Sequence, residues 1–218
     1  MCLDLFWYLL CRQRGGGGKQ LYAPTISRGG DTLTVTDDSR NGSFTQSFQI
    51  YNGNKKLVLL ELPTNTLDLT TLDDGDYTLT ATAVSKGMKE SEKSNSISVA
   101  IYSAEYSFAD ITATPTPAKI LSGSPVTIAL STSGTYVLPD SVSVVGATAV
   151  YTRTNDTSGT LVLSDPTGEI TVSAAALEKL AAPTISVTDD TLTIETTDFA
   201  TQNYAIYADD TLVDTIPR

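Results

Sequence analysis

A chain of 218 residues leaves room for one to three small domains. Only 18% of its residues are charged and the formal net charge is −11, so the body repels phosphate backbones and nucleic acid is not an expected partner. Histidine is absent, which excludes His-containing catalytic triads and His-ligated zinc sites in this sequence.

The chain opens on an apolar leader. Residues 3–10 read LDLFWYLL, far short of the roughly 20 residues a membrane-spanning helix needs. A cleaved export signal fits poorly, because Arg12 and Arg14 follow the apolar run and leucines precede Cys11. Gly15-Gly16-Gly17-Gly18 then forms a flexible tether. Residues 1–21 therefore read as an anchor that docks into a partner protein, since Phe6-Trp7-Tyr8 is costly to leave in water. The competing reading is a disordered tail. Residues 1–22 carry a charge of +2 (Arg12, Arg14 and Lys19 against Asp4), which leaves −13 on the remainder. Both cysteines, Cys2 and Cys11, lie in this leader, so the domains that follow hold by packing alone and imply no oxidising compartment.

Residues 22–102 alternate in period two. Leu33 and Val35 share one face of a strand, and Phe48 with Ile50 and then residues 57–60 supply two more. Tyr51-Asn52-Gly53-Asn54 is the turn between those two. Leu67 and Leu69 alternate with Thr66, Asp68 and Thr70. Tyr77, Leu79, Ala81 and Ala83 oppose Thr78, Thr80 and Thr82, and Ile97, Val99 and Ile101 close the set. About seven short strands predict a two-sheet antiparallel sandwich. The stretch resembles a fibronectin type III domain of the bacterial and phage kind. The resemblance is carried by Ala23-Pro24-Thr25-Ile26, Phe48-Gln49-Ile50-Tyr51, Leu72-Asp73-Asp74-Gly75-Asp76-Tyr77 and Lys93-Ser94-Asn95-Ser96. It implies that the Tyr77 hydroxyl bonds back to upstream backbone as a tyrosine corner. Leu33 stands where members of that family often have tryptophan. Arg28-Gly29-Gly30-Asp31 departs from the family's adhesive tripeptide by one glycine, so no adhesive role attaches to it.

Residues 103–177 predict a small β-domain. Residues 105–112 form its first candidate strand; Val126, Ile128 and Leu130, then Val142 and Val144, then Val150-Tyr151, supply others. Thr160-Leu161-Val162-Leu163 and the pair Ile170 and Val172 flank the turn Asp165-Pro166-Thr167-Gly168. The order of turns and strands is similar to small Ig-like β-repeats that alternate with fibronectin-like domains in surface and phage proteins of gut bacteria. Residues 174–180 (AAALEKL) suggest one helical turn or a short linker.

The last segment, within residues 178–218, repeats the beginning of the first domain. Ala182-Pro183-Thr184-Ile185-Ser186 matches Ala23-Pro24-Thr25-Ile26-Ser27, and Leu192-Thr193-Ile194-Glu195 matches Leu33-Thr34-Val35-Thr36. Tyr204-Ala205-Ile206-Tyr207 matches Phe48-Gln49-Ile50-Tyr51, and Leu212-Val213 matches Leu57-Val58. Nothing corresponds to residues 66–102. Half a sandwich exposes an apolar face and an edge. The chain is expected to be a fragment of a longer protein, with strands donated by another chain as the alternative.

The chemistry is sparse. The acidic pairs Asp37-Asp38, Asp73-Asp74 with Asp76, Asp189-Asp190 and Asp209-Asp210 all sit between strands, where Asp favours turns by bonding its own backbone. Of these, only Asp73-Asp74-Gly75-Asp76 merits a test for calcium. No Gly-x-Ser-x-Gly elbow or phosphate-binding loop is present. Tyr102, Tyr106 and Tyr136 can stack on sugar rings if exposed; half-buried strand tyrosines are the competing reading. No catalytic, cofactor-binding or metal residue is assigned and no cofactor is expected. The expected fold is an all-β string: tandem antiparallel β-sandwiches, fibronectin-like, then small β-domain, then truncated fibronectin-like half. The expected role is that of a non-enzymatic structural or adhesion component of a phage virion, such as a tail, fibre or head decoration. Its partners would be virion or cell-surface proteins reached through the leader, with surface glycans as a further class, and no membrane span. The alternative is a bacterial cell-surface or secreted protein with spacer or carbohydrate-binding domains, or the N-terminal part of a larger enzyme.

Overall fold

The computed structural model describes residues 19–189, 191–195, 203–208 and 211–217. Strand follows strand because β-branched residues alternate with apolar ones and Gly, Asn and Asp punctuate them. The fold is all-β. Helical turns among the described residues are confined to two 3-10 segments, Ser39–Asn41 and Leu69–Thr71.

Seven strands build the first unit: β1 (Thr25–Gly29), β2 (Thr32–Thr36), β3 (Ser47–Asn52), β4 (Lys55–Glu61), β5 (Thr66–Asp68), β6 (Gly75–Val84) and β7 (Ile97–Ala109). One sheet has the order β1-β2-β5 and the other contains β4-β3-β6-β7. Strand β3 is buried from Ser47 to Tyr51, as a central strand should be. Leu33, Val35, Phe48, Ile50, Leu79 and Ile101 fill the space between the sheets in one cluster. Each such fully buried side chain contributes about 1.5–3 kcal/mol of transfer free energy. Gly53 makes the β3–β4 turn at φ 56, a left-handed conformation that favours glycine. Leu69 does not continue the strand of Leu67. Instead Asp68 accepts a bond from the Thr70 amide at 2.9 Å and turns the chain into a 3-10 segment, while Leu69 stays fully buried.

The second unit uses β8 (Thr112–Thr114), β9 (Lys119–Leu121), β10 (Val126–Ser131), β11 (Tyr136–Val137), β12 (Ser143–Val145), β13 (Thr148–Arg153), β14 (Ser158–Ser164), β15 (Ile170–Ala175) and β16 (Leu177–Glu178). The sheet β13-β14-β10-β8 shares a core with β12-β15-β7. Strand β14 shows the driving pattern plainly: Gly159, Leu161 and Leu163 are buried, and the residues between them are half-buried. With Ile120, Ile128, Leu130, Leu138, Ile170 and Val172, those leucines form the second core. Residues 174–180 are not helical: Ala174 and Ala175 end β15, and Leu177–Glu178 pairs with Tyr136–Val137.

Strand β7 belongs to both units. Its first half pairs antiparallel with β6, and Ser103 to Ile101 pair with β9. Its second half pairs with β15 from Ala104 to Ala109, and this pairing is parallel. The division expected between residues 102 and 103 falls inside this continuous strand.

The C-terminal segment forms two hairpins, β17 (Thr184–Thr188) with β18 (Thr191–Glu195), and β19 (Asn203–Ala208) with β20 (Thr211–Pro217). The β17–β18 register copies β1–β2 at an offset of 159 residues: Thr184 faces Glu195 as Thr25 faces Thr36. The β19–β20 register copies β3–β4 at an offset of 156, including the irregularity after Ile206, which matches that after Ile50. This pairing aligns Leu212-Val213 with Lys56-Leu57, one residue away from the match made on sequence alone. The bulge is common to both hairpins, so the offset of 156 holds on either side of it.

Candidate functional site

Three places carry polar or apolar features that packing alone does not explain. The first is the joint between the two sandwiches. Asp74, on the turn before β6, accepts from the Ser103 amide at 2.8 Å and from the Ser103 hydroxyl at 2.9 Å. Lys119 of β9 lies 3.4 Å from the same carboxylate and also donates to the Leu72 carbonyl. Arg28 of β1 reaches across to the Ser122 carbonyl at 2.6 Å and the Ser124 hydroxyl at 2.9 Å. These bonds clamp the point where β7 changes partners. Burial raises the Asp74 carboxyl, but the Ser103 bonds and the Lys119 charge outweigh it and leave Asp74 below its ordinary value.

This joint redefines the acidic run Asp73-Asp74-Gly75-Asp76. Asp74 already faces an ammonium group, and Asp73 offers its carbonyl to the Tyr77 hydroxyl at 2.8 Å. The Tyr77 bond has the upstream-backbone geometry expected from its position. Burial, then the charges of Asp73 and Asp74, push the Tyr77 hydroxyl above its ordinary value. Among the described residues no three His, Cys, Asp or Glu side chains converge as a metal site would require. Asp37 and Asp38 serve the Ser39–Asn41 turn. Asp37 accepts from the Asn41 amide group at 2.7 Å, and Arg40, bonded to Asp38 at 2.6 Å, holds the Asp38 carboxyl at about 2. Asp189 sits at φ 49 in the β17–β18 turn. Asp190, Asp209 and Asp210 lie outside the described residues, as do residues 1–18 of the leader.

The second place surrounds Glu90. Its carboxylate accepts from the Tyr51 hydroxyl at 2.6 Å and from the Thr82 hydroxyl. Gln20 donates to the Glu90 carbonyl at 3.1 Å, and Leu21 donates its amide to Lys89. Burial raises the Glu90 carboxyl, yet the Thr82 and Tyr51 hydroxyls and the Lys56 charge leave it below its ordinary value. The Lys93 ammonium sits 5.1 Å from the Tyr51 ring centre. This cluster holds Gln20 and Leu21 against the first sandwich. Sequence reasoning missed it, because Gln20, Tyr51, Thr82 and Glu90 are scattered along the chain.

The tyrosines singled out for sugar stacking do not form a platform. Tyr102 and Tyr106 are half-buried against the second core, and Tyr106 donates its hydroxyl to the Pro117 carbonyl at 3.1 Å. Tyr106 stacks on Phe108 instead, at 6.2 Å between ring centres. Tyr136 is also half-buried, in β11.

The third place is the open face of the C-terminal hairpins. In the first sandwich Ile26, Leu33, Val35, Phe48 and Ile50 share one core with residues of β6 and β7 and lie at most 5% exposed. Their register counterparts are Ile185, Leu192, Ile194, Tyr204 and Ile206. Ile185 is 69% exposed and Leu192 44%. A groove of about 440 Å³ runs between the hairpins, with Leu180 at one end. Among the described residues no strand pairs with the outer edges of β18 or β19, the edges that β5 and β6 occupy in the first sandwich. Unpaired edges beside an apolar face attract another strand. No family model matches the chain, and no curated protein matches it.

Proposed function

We propose that this protein is a non-enzymatic structural module of a phage virion: a stiff double sandwich that spaces and presents, held to the particle by its N-terminal leader. The observation that carries the proposal is strand β7, shared by two cores and clamped by Asp74, Lys119 and Arg28. A shared strand resists the hinge motion that separate domains allow. The acidic body keeps an outward-facing assembly soluble. The fibronectin type III resemblance of residues 22–102, with the Tyr77 bond to Asp73, supports the same class of role. The Glu90 cluster anchors the base of the leader, so force applied there is passed to a packed sheet. The experiment is a particle pull-down with the intact chain and with a chain lacking residues 1–14. Co-sedimentation with virions that is lost on deletion supports the role; co-sedimentation unchanged by deletion removes the leader from it.

A further inference from the structure

We infer that the outer edge of β13 joins two copies of this chain: β13 pairs antiparallel with β13 of a second copy about a two-fold axis, and two four-stranded sheets become one of eight strands. The interface involves neither the leader nor the C-terminal hairpins. Strand β13 pairs with β14 on one side, and among the described residues no strand pairs with its other side. The ladder fixes which backbone groups point outward. Thr132 donates its amide to the Thr157 carbonyl, and Thr154 donates to the Ser158 carbonyl at 2.9 Å. Bonded pairs alternate along an antiparallel ladder. Gly159, Leu161 and Leu163 therefore bond toward β10, and Thr160 and Val162 bond toward β13. The partners of those two are Thr152 and Val150. The amides and carbonyls of Ala149, Tyr151 and Arg153 are left facing outward.

The other edges of the two sandwiches are short or guarded. The Asn95 side chain caps β1, accepting from the Ile26 amide at 2.9 Å and donating to the Ile26 carbonyl at 2.9 Å. Strand β4 carries Lys55, Lys56 and Glu61. Strands β5, β8, β9 and β12 have three residues each, and β11 and β16 have two. Strand β13 has six, with no proline, no bulge and no charge before Arg153. Arg153 is itself held by Asp140 at 2.7 Å and Asp156 at 2.6 Å. Charge selects a second copy as the occupant. Each chain carries a net −11, so two copies approach each other only through neutral surface. The outward face beside this edge is neutral: Thr148, Val150 and Thr152 on β13, then Thr160, Val162 and Ser164 on β14. Val150 is 59% exposed there. An axis at Tyr151 uses every outward group. Tyr151 meets its own copy, and Ala149 meets Arg153 on either side of it, with two bonds exchanged in each pair. Between them Val150 of one copy faces Thr152 of the other, and no like charges lie opposite.

The test is sedimentation velocity of the whole chain over a concentration series, with amide hydrogen exchange at each concentration. Reducing buffer keeps Cys2 and Cys11 from linking copies. A dimer is expected, and with it slower exchange of Ala149, Tyr151 and Arg153. The amides of Val150 and Thr152 bond to β14 in either state and should not change. Val150→Lys with Thr152→Lys sets lysines opposite each other across the axis, and Val150→Glu with Thr152→Glu does the same with carboxylates. Both positions are exposed, so each double variant should keep the wild-type circular dichroism spectrum. Each alone should associate about tenfold or more weakly, and an equimolar mixture of the two should restore the dimer. A chain that stays monomeric throughout overturns the inference. So does a dimer that ignores these substitutions or leaves the three outward amides fast. Protection of those amides that a monomeric chain gains only on virions would give the edge to a particle protein and likewise overturn self-pairing.

Discussion

Removing the Asp74 carboxylate should loosen the joint between the two cores. In Asp74→Ala the Ser103 amide and hydroxyl lose their acceptor, and Lys119 keeps only the Leu72 carbonyl. A hydrogen bond to a charged group contributes about 1.5–3 kcal/mol when well buried. Asp74 is 35% exposed and Lys119 20%, so water replaces part of what is lost. The expected cost is about 1–2 kcal/mol, or roughly 3–6 °C in melting temperature for a chain of this size. The assay is thermal unfolding followed by circular dichroism at pH 7 and again near pH 3. The folded Asp74 carboxyl lies below its ordinary value, so its contribution is complete above the usual carboxylate range and disappears as the pH falls through the folded value. The gap between wild type and Asp74→Ala should therefore narrow on acidification. Equal stability at pH 7, or a gap that is the same at both pH values, would refute the clamp.

Other substitutions separate packing from polar contacts. Phe48→Ala should cost about 3–5 kcal/mol and unfold the first core, read by urea titration, because Phe48 is buried in the central strand. Gly146→Ala should fail to reach wild-type stability in the same titration: its Cβ would meet the Glu169 carbonyl oxygen at 2.1 Å, and its backbone has φ +82. Tyr77→Phe removes only the bond to Asp73 and should cost about 1 kcal/mol. Calcium should leave the melting temperature unchanged, because Lys119 already faces Asp74; a rise of several degrees at millimolar calcium would contradict that.

The strands inside each core were legible because their neighbours in sequence set their faces. Leu161 and Leu163, or Ile128 and Leu130, alternate with half-buried or exposed residues as period two demands. The row Tyr102, Ala104, Tyr106 and Phe108 held the signal that its aromatics face a core, and it outweighs the appeal of tyrosine as a sugar platform. The continuity of β7 was not legible. Nothing local marks residues 101–104 as either break or strand, since the partner of Ser103 is Asp74 and the partner of Ala104 is Ala118. The parallel β7–β15 pairing is likewise a long-range contact that no turn motif announces. The repeat was visible in sequence, but its pairing register was not: residue likeness set Leu212-Val213 against Leu57-Val58, whereas the register sets it against Lys56-Leu57. The Glu90 cluster unites groups up to 70 residues apart, and period and motif are both blind to it.

Native-state amide hydrogen exchange along β7 tests the shared-strand architecture most directly. If one strand unites both cores, protection should run without interruption from Val99 through Ala104 to Phe108, and these amides should open together as denaturant rises. Exchange that divides at Ser103, with each half following its own core at a different free energy, would mean that two independent domains merely abut there.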